Sequence, residues 1–160
     1  MRHVDLRDFE VGVYSLQVMC YRPTMKTTKF LARLLLGAAL IFAGISHLTF
    51  SRETFQAQVP PWLPLDADFV VLASGVVEIT LGLALTSLGR HKALVGIATA
   101  LFFIAIFPGN ISQYLTHSDA FGLNTDEARL IRLFFQPLLV IWAIWSTDAL
   151  SLLRKAKRRG

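Results

Sequence analysis

Four long stretches of the chain are nearly free of charge, and short polar or proline-rich segments separate them. Residues 30–50 are interrupted only by Arg33 near the start and His47 near the end. At ~1.5 Å rise per residue a helix of this length reaches about 31 Å, enough to cross the hydrocarbon of a bilayer. Residues 69–88 carry Glu78 as their only charge, residues 93–107 carry none, and residues 130–150 hold Arg132, Gln136-Pro137 and Asp148. Pro108-Gly109-Asn110 reads as the stop of the third helix, with residues 111–115 continuing at the interface after the break. The pattern predicts an all-α fold, a bundle of four transmembrane helices over about 30–50, 69–88, 93–107 and 130–150.

The connections shape this bundle. Residues 89–92, Gly-Arg-His-Lys, are so few that the second and third helices must be antiparallel neighbours. Residues 59–64, Val-Pro-Pro-Trp-Leu-Pro, cannot form a helix interior, so Pro61, Trp62 and Pro64 read as an interfacial cap on the outer surface. Residues 1–24 mix charges with no sustained apolar period and read as weakly structured, and Met25 is an alternative start. The expected organisation is an N-terminal extension over 1–28, a membrane domain over 29–153 and a basic tail over 154–160. A cleaved signal peptide is disfavoured for the first stretch, since no small-residue cleavage site follows it.

Composition agrees with lipid as the solvent. Of 160 residues 54% are hydrophobic and only 17% charged, with a mean hydropathy of +0.52. A polar shell around a water-soluble core of this size needs more charge. The single cysteine, Cys20, excludes an internal disulfide framework, a CxxC redox pair and a thiolate-built zinc site. A net charge of +5 first suggests nucleic acid, but the placement of the basic residues argues otherwise. All but Arg52, Arg129 and Arg132 lie in the N-terminal flank, the 89–92 connection or the tail. Such asymmetry places both termini in the cytoplasm, with the tail touching anionic headgroups, and gives no reason to expect nucleic acid.

Candidate chemistry centres on Glu78. An ionised carboxylate in mid-membrane costs at least ~2.5 kcal/mol, so the group must be neutral, paired or wetted. It reads either as a proton carrier or polar ligand, or as an interhelical hydrogen bond that locks the bundle. Ser74, Gly75, Glu78 and Gly82 share one helical face, and Gly37, Gly44 and His47 repeat the pattern on the first helix. Such glycines allow close backbone approach, so the two faces are expected to be buried together. His47 reads as a packing histidine or as an interfacial proton group. Asn110, Gln113, Arg132 and Gln136 fall at the same depth, giving a ligand-pocket set of His47, Glu78, Asn110, Gln113, Arg132 and Gln136. The plainer alternatives are that Asn110 caps carbonyls after Pro108-Gly109 and that Arg132 snorkels outward. Gly96-x-x-x-Ala100 reads as a dimer contact or as packing inside one bundle. No metal-ligand spacing, phosphate loop or nucleophile elbow is present, so ordinary hydrolase or kinase chemistry is unsupported.

The ordered motifs RLLLGAALIFAGISHL, VPPWLP, SGVVEITLGLAL, FPGNI and RLFFQPLLVIWAIW resemble the DoxX-like family of small four-helix membrane proteins. The resemblance covers roughly residues 29–150 and touches Gly44, His47, Pro61, Trp62, Gly75, Glu78, Pro108, Asn110, Gln136 and Pro137. It implies association with a membrane redox system, with a quinone or lipid as ligand and a membrane or redox protein as partner. No cysteine lies in any span, unlike thiol-redox relatives of similar bundle shape. The competing reading is a non-catalytic membrane protein that binds or assembles a partner.

Overall fold

A computed structural model describes residues 6–157 except 121 and 123, with side chains described from Lys26 onward except at 153 and 155–157. The fold is all-helical. Helix α1 spans Leu6–Leu48, a short α2 spans Arg52–Gln56, α3 spans Ala67–Ser87, α4 spans Lys92–Leu115, α5 spans Asp126–Ser146 and α6 spans Leu150–Lys157. Four stretches are long and apolar enough to cross a membrane, Lys26–Leu48, Ala67–Ser87, Gly89–Leu115 and Asp126–Ser146.

Five boundaries differ from expectation. Residues 6–24 are not weakly structured, because α1 runs unbroken from Leu6. Leu6, Phe9, Val13 and Leu16 recur there at three- and four-residue spacing, an apolar stripe hidden by the charges between them. Residues 1–5 of the expected extension lie outside the described residues.

Pro108 does not stop α4, which continues to Leu115. Proline removes one backbone donor and loosens one turn, and Gln136 Nε2 on α5 donates to the Phe103 carbonyl at 2.6 Å in that region. The fourth helix begins at Asp126 rather than 130, where the Thr125 hydroxyl accepts from the Ala128 amide at 3.2 Å. It also ends early, at Ser146. Asp148 takes a left-handed backbone, φ 58°, and the Ala149 amide returns to the Ile144 carbonyl at 3.1 Å. This is the Schellman stop, with aspartate in the place usually held by glycine. His117, φ 52°, ends α4 the same way, with the Ser118 amide on the Gln113 carbonyl at 3.3 Å. The tail boundary expected at 153/154 falls inside α6, and residues 158–160 lie outside the described residues.

The bundle is built from two tight antiparallel pairs, α1 with α3 and α4 with α5. In the first, Gly37 faces Gly82 and Gly44 faces Gly75. A Cβ on Gly44 would sit 2.5 Å from the Gly75 carbonyl oxygen, and one on Gly82 would sit 2.6 Å from that of Gly37. Only glycine permits so close an approach. In the second pair, Gly96 lies under Thr147, whose Oγ1 would stand 1.9 Å from a Cβ on Gly96, and Ala100 is buried. The small-residue motif of α4 is therefore spent inside the chain and is not a dimer face. Helices α3 and α4 are antiparallel, as their 3-10 connection at Gly89–His91 requires, but they touch only lightly.

The apolar core of Leu36, Leu40, Leu85, Val95, Ala100, Phe103 and Ala143 fills the half of the bundle nearer Lys29 and Lys92. Toward the other end the two pairs enclose a cavity. Side chains are distributed inside out. Phe42, Phe69, Leu101, Phe134 and Ile141 face outward, while Arg33, His47, Glu78, Thr99, Asn110, Gln113, Arg129 and Gln136 are buried.

Candidate functional site

The cavity has a volume of about 480 Å³, within the range of small-molecule sites. Leu36, Leu40 and Phe103 form its floor and Phe135 and Leu139 part of its wall, while Phe55, Val59, Pro60 and Leu63 close over it. Of the six expected pocket residues, His47, Glu78, Asn110, Arg132 and Gln136 line this space. Gln113 does not. It stands one residue behind, accepting from Gln58 Nε2 at 3.2 Å and donating to the Ser118 and Ala120 carbonyls. Of the expected cap, Trp62 lines the cavity and is 66% exposed, whereas Pro61 and Pro64 are exposed and take no part in the lining.

The glycine seam sets the first wall. Because Gly44 and Gly75 bring α1 and α3 together, His47 and Ser74 meet, with His47 Nδ1 and Ser74 Oγ 2.8 Å apart. The Ser74 hydroxyl gives its hydrogen to the Val71 carbonyl at 2.9 Å, so it accepts from His47 and the imidazole proton sits on Nδ1. Nε2 is left with its lone pair facing Glu78 Oε2 at 3.7 Å. That gap is too long for a hydrogen bond. Glu78 is 5% exposed, and its buried Oε2 has no hydrogen-bond partner among the described residues. A buried carboxylate oxygen without a partner is costly, and protonation of Glu78, or a ligand's polar group reaching its Oε2 from the cavity, would relieve it. The Phe55 ring lies against His47, tilted by 50° with centroids 3.5 Å apart, and holds the imidazole from the cap side.

Amides set the opposite wall. Asn110 Nδ2 donates to Gln136 Oε1 at 2.8 Å, and Gln136 Nε2 donates to the Phe103 carbonyl. Asn110 is therefore a mid-helix bridge to α5, not a cap. Arg132 is half-buried, and its Nη2 donates to Gln58 Oε1 at 3.0 Å, which turns the guanidinium toward the cap and not outward. Gln58 thereby joins α5 to α4 through Gln113. Sequence reasoning missed Gln58, Ser74 and Phe55 as partners of the site. Ser74 was placed on the correct face, but nothing in the pattern marks the other two, since α2 is one short turn.

At the rim, Arg129 is buried and holds the connection between α4 and α5 through Asp126, Asp119 and the His117 carbonyl. No group of three or more His, Cys, Asp or Glu among the described residues is placed to hold a metal ion.

Neither curated proteins nor solved structures match the chain. Residues 36–147, which contain both glycine pairs, the cap and all six expected pocket residues, match the family described as a domain of unknown function (DUF8561), and the chain belongs to that family.

Proposed function

We propose that this is a multi-pass protein of a bacterial inner membrane, with both termini cytoplasmic, whose cavity binds a small amphipathic molecule for a membrane redox system. On this reading it is a DoxX-like accessory subunit, and the ligand is a quinone or a lipid of similar shape. The inside-out distribution of side chains supports the membrane assignment, since outward Phe42, Leu101 and Phe134 would be an aggregation surface in water. The asymmetry of Lys and Arg supports the orientation.

The observation that carries the ligand reading is Glu78, a buried carboxylate whose Oε2 has no hydrogen-bond partner among the described residues, in a chamber with a mostly apolar lining. An amphipathic ring fits such a site by its chemistry. Its apolar body meets Leu36, Phe103 and Leu139, and its polar edge meets Glu78 and the Nε2 of His47. The test is a thermal-shift titration of the detergent-solubilised chain with decylubiquinone, wild type beside Glu78→Gln. Stabilisation of wild type that weakens at least tenfold in the variant is expected. Equal response of both, or of neither, contradicts the reading.

A second reading rests on Trp62, which is 66% exposed between the exposed Pro61 and Pro64. A rigid aromatic on a proline-stiffened loop suits contact with another membrane protein, and the chain would then be a non-catalytic assembly factor. In that case Trp62→Ala abolishes partner capture, while Glu78→Gln leaves it intact.

A further inference from the structure

The end of the bundle opposite the cavity holds a second recess, of about 490 Å³, lined among others by Lys26, Lys29, Arg33, Lys92, Ser146 and Asp148. Four cations surround one carboxylate. Lys29 binds Asp148, and Lys92 Nζ donates to Asp148 Oδ2 at 2.7 Å, so a single anion answers two of them. The left-handed backbone of Asp148 is what turns its carboxylate between α1 and α4.

Arg33 is different. It is only 6% exposed, and its Nε and Nη1 have no hydrogen-bond partner among the described residues. The buried hydroxyl of Ser146, in the same lining, has none either. A guanidinium cannot shed its charge, so burying it without an acceptor costs far more than burying a neutral donor. The 3-10 turn passes Arg33 at Gly89, where even a Cβ would stand 3.8 Å from Nη1.

We infer that this recess is a binding site for a phosphate group, and that its occupant is the headgroup of an anionic phospholipid. Phosphate oxygens are acceptors only, and their planar edge matches the guanidinium fork, so one group satisfies the Arg33 nitrogens and the Ser146 hydroxyl together. The excess of positive charge over Asp148 selects an anionic group. The surroundings favour a lipid over the free ion. Phe30, Leu31, Leu94, Trp145 and Leu150 are exposed on the helices around this end, an apolar flank along which acyl chains can lie. The inference concerns the end away from Glu78 and does not depend on what fills the cavity.

The test titrates the full chain in mild detergent with dihexanoyl phosphatidylglycerol, dihexanoyl phosphatidylcholine and inorganic phosphate. Binding is read by native mass spectrometry and by thermal stabilisation. Phosphatidylglycerol is expected to bind at least tenfold more tightly than phosphatidylcholine, and Arg33→Gln to weaken it at least tenfold. Arg33→Gln is also expected to keep or raise the Tm of the lipid-free protein, whereas a merely structural arginine would leave a lower Tm with or without lipid. Should Arg33→Gln fail to fold, Ser146→Ala and Lys26→Gln serve instead, each with a severalfold loss. Saturable binding of inorganic phosphate that requires Arg33, without preference for the lipid, supports the phosphate site and assigns it to the free ion. Equal binding of the two lipids with no effect of phosphate, or affinity unchanged in all three variants, overturns the proposal.

Discussion

Helices α1 and α3 meet backbone to backbone, at Gly37 against Gly82 and Gly44 against Gly75, whereas α4 and α5 meet through the amides of Asn110 and Gln136. Both pairs wall the same cavity, so the difference bears on how a polar site is kept open inside an apolar bundle. A glycine seam leaves no freedom of register, and it fixes His47, Ser74 and Glu78 relative to one another within one rigid wall. The amide bridge is directional and more forgiving, and it lets α4 carry Pro108 and α5 carry Pro137 without coming apart. Between a rigid wall and an adjustable one, a ligand-sized space survives.

The strongest way to break this contrast is to add one carbon to the seam. Gly44→Ala forces its Cβ against the Gly75 carbonyl, and a destabilisation of about 3 kcal/mol or more is expected by thermal unfolding in detergent. Gly89→Ala, with its nearest neighbour at 3.8 Å, is expected to be tolerated. Equal effects of the two would mean that the seam is not the tight element.

A smaller loss is expected on the other side. Gln136→Leu leaves the Asn110 amide and the Phe103 carbonyl without a partner, at about 2 kcal/mol, and the Asn110→Leu, Gln136→Leu double variant should cost less than the sum of the singles. Strict additivity would argue against the bridge.

Glu78→Gln sharpens the comparison differently. Its Oε2 has no hydrogen-bond partner among the described residues, so the substitution should leave unfolding nearly unchanged while ligand binding is lost. A large fall in Tm would make Glu78 a structural staple.

The smallest expected effect lies where the two pairs are tied together at the opposite end. Burial works to raise the Asp148 carboxyl, but hydrogen bonds and charge from Lys29 and Lys92 outweigh it and hold the group below its ordinary 3.8. A carboxylate lowered in the folded state stabilises the fold above its unfolded value, and that contribution fades as pH falls through the folded value. Asp148→Asn should therefore lower Tm slightly at neutral pH, and the difference from wild type should vanish at strongly acidic pH. A difference that persists there would assign it to the left-handed turn and not to charge.

Much of this architecture was legible before any coordinates. Charge-free runs located the four long helices, because nothing else makes so many apolar residues contiguous, and the spacing of Gly37, Gly44, Gly75 and Gly82 identified the seam. The ends of α4 and α5 were not legible, since His117 and Asp148 take the left-handed position with no glycine to announce it. Pro108 was misread as a stop because a helix packed against its neighbours carries a proline in its interior, and that packing is not written in the local sequence. Five of six pocket residues share the cavity since depth along each helix can be counted, yet Gln113 lies behind Gln58, and depth says nothing about rotation around the bundle. Arg33 was visible as a charge near the start of a span, but that its Nε and Nη1 find no hydrogen-bond acceptor among the described residues is a property of packing alone.

The most direct test of the central claim, that the space between the two pairs is a ligand site, is native mass spectrometry of the chain in nanodiscs, wild type beside Glu78→Gln. A retained hydrophobic molecule on wild type that is missing from an equally stable variant is the expected result. An empty wild type, or the same molecule on both, would contradict it.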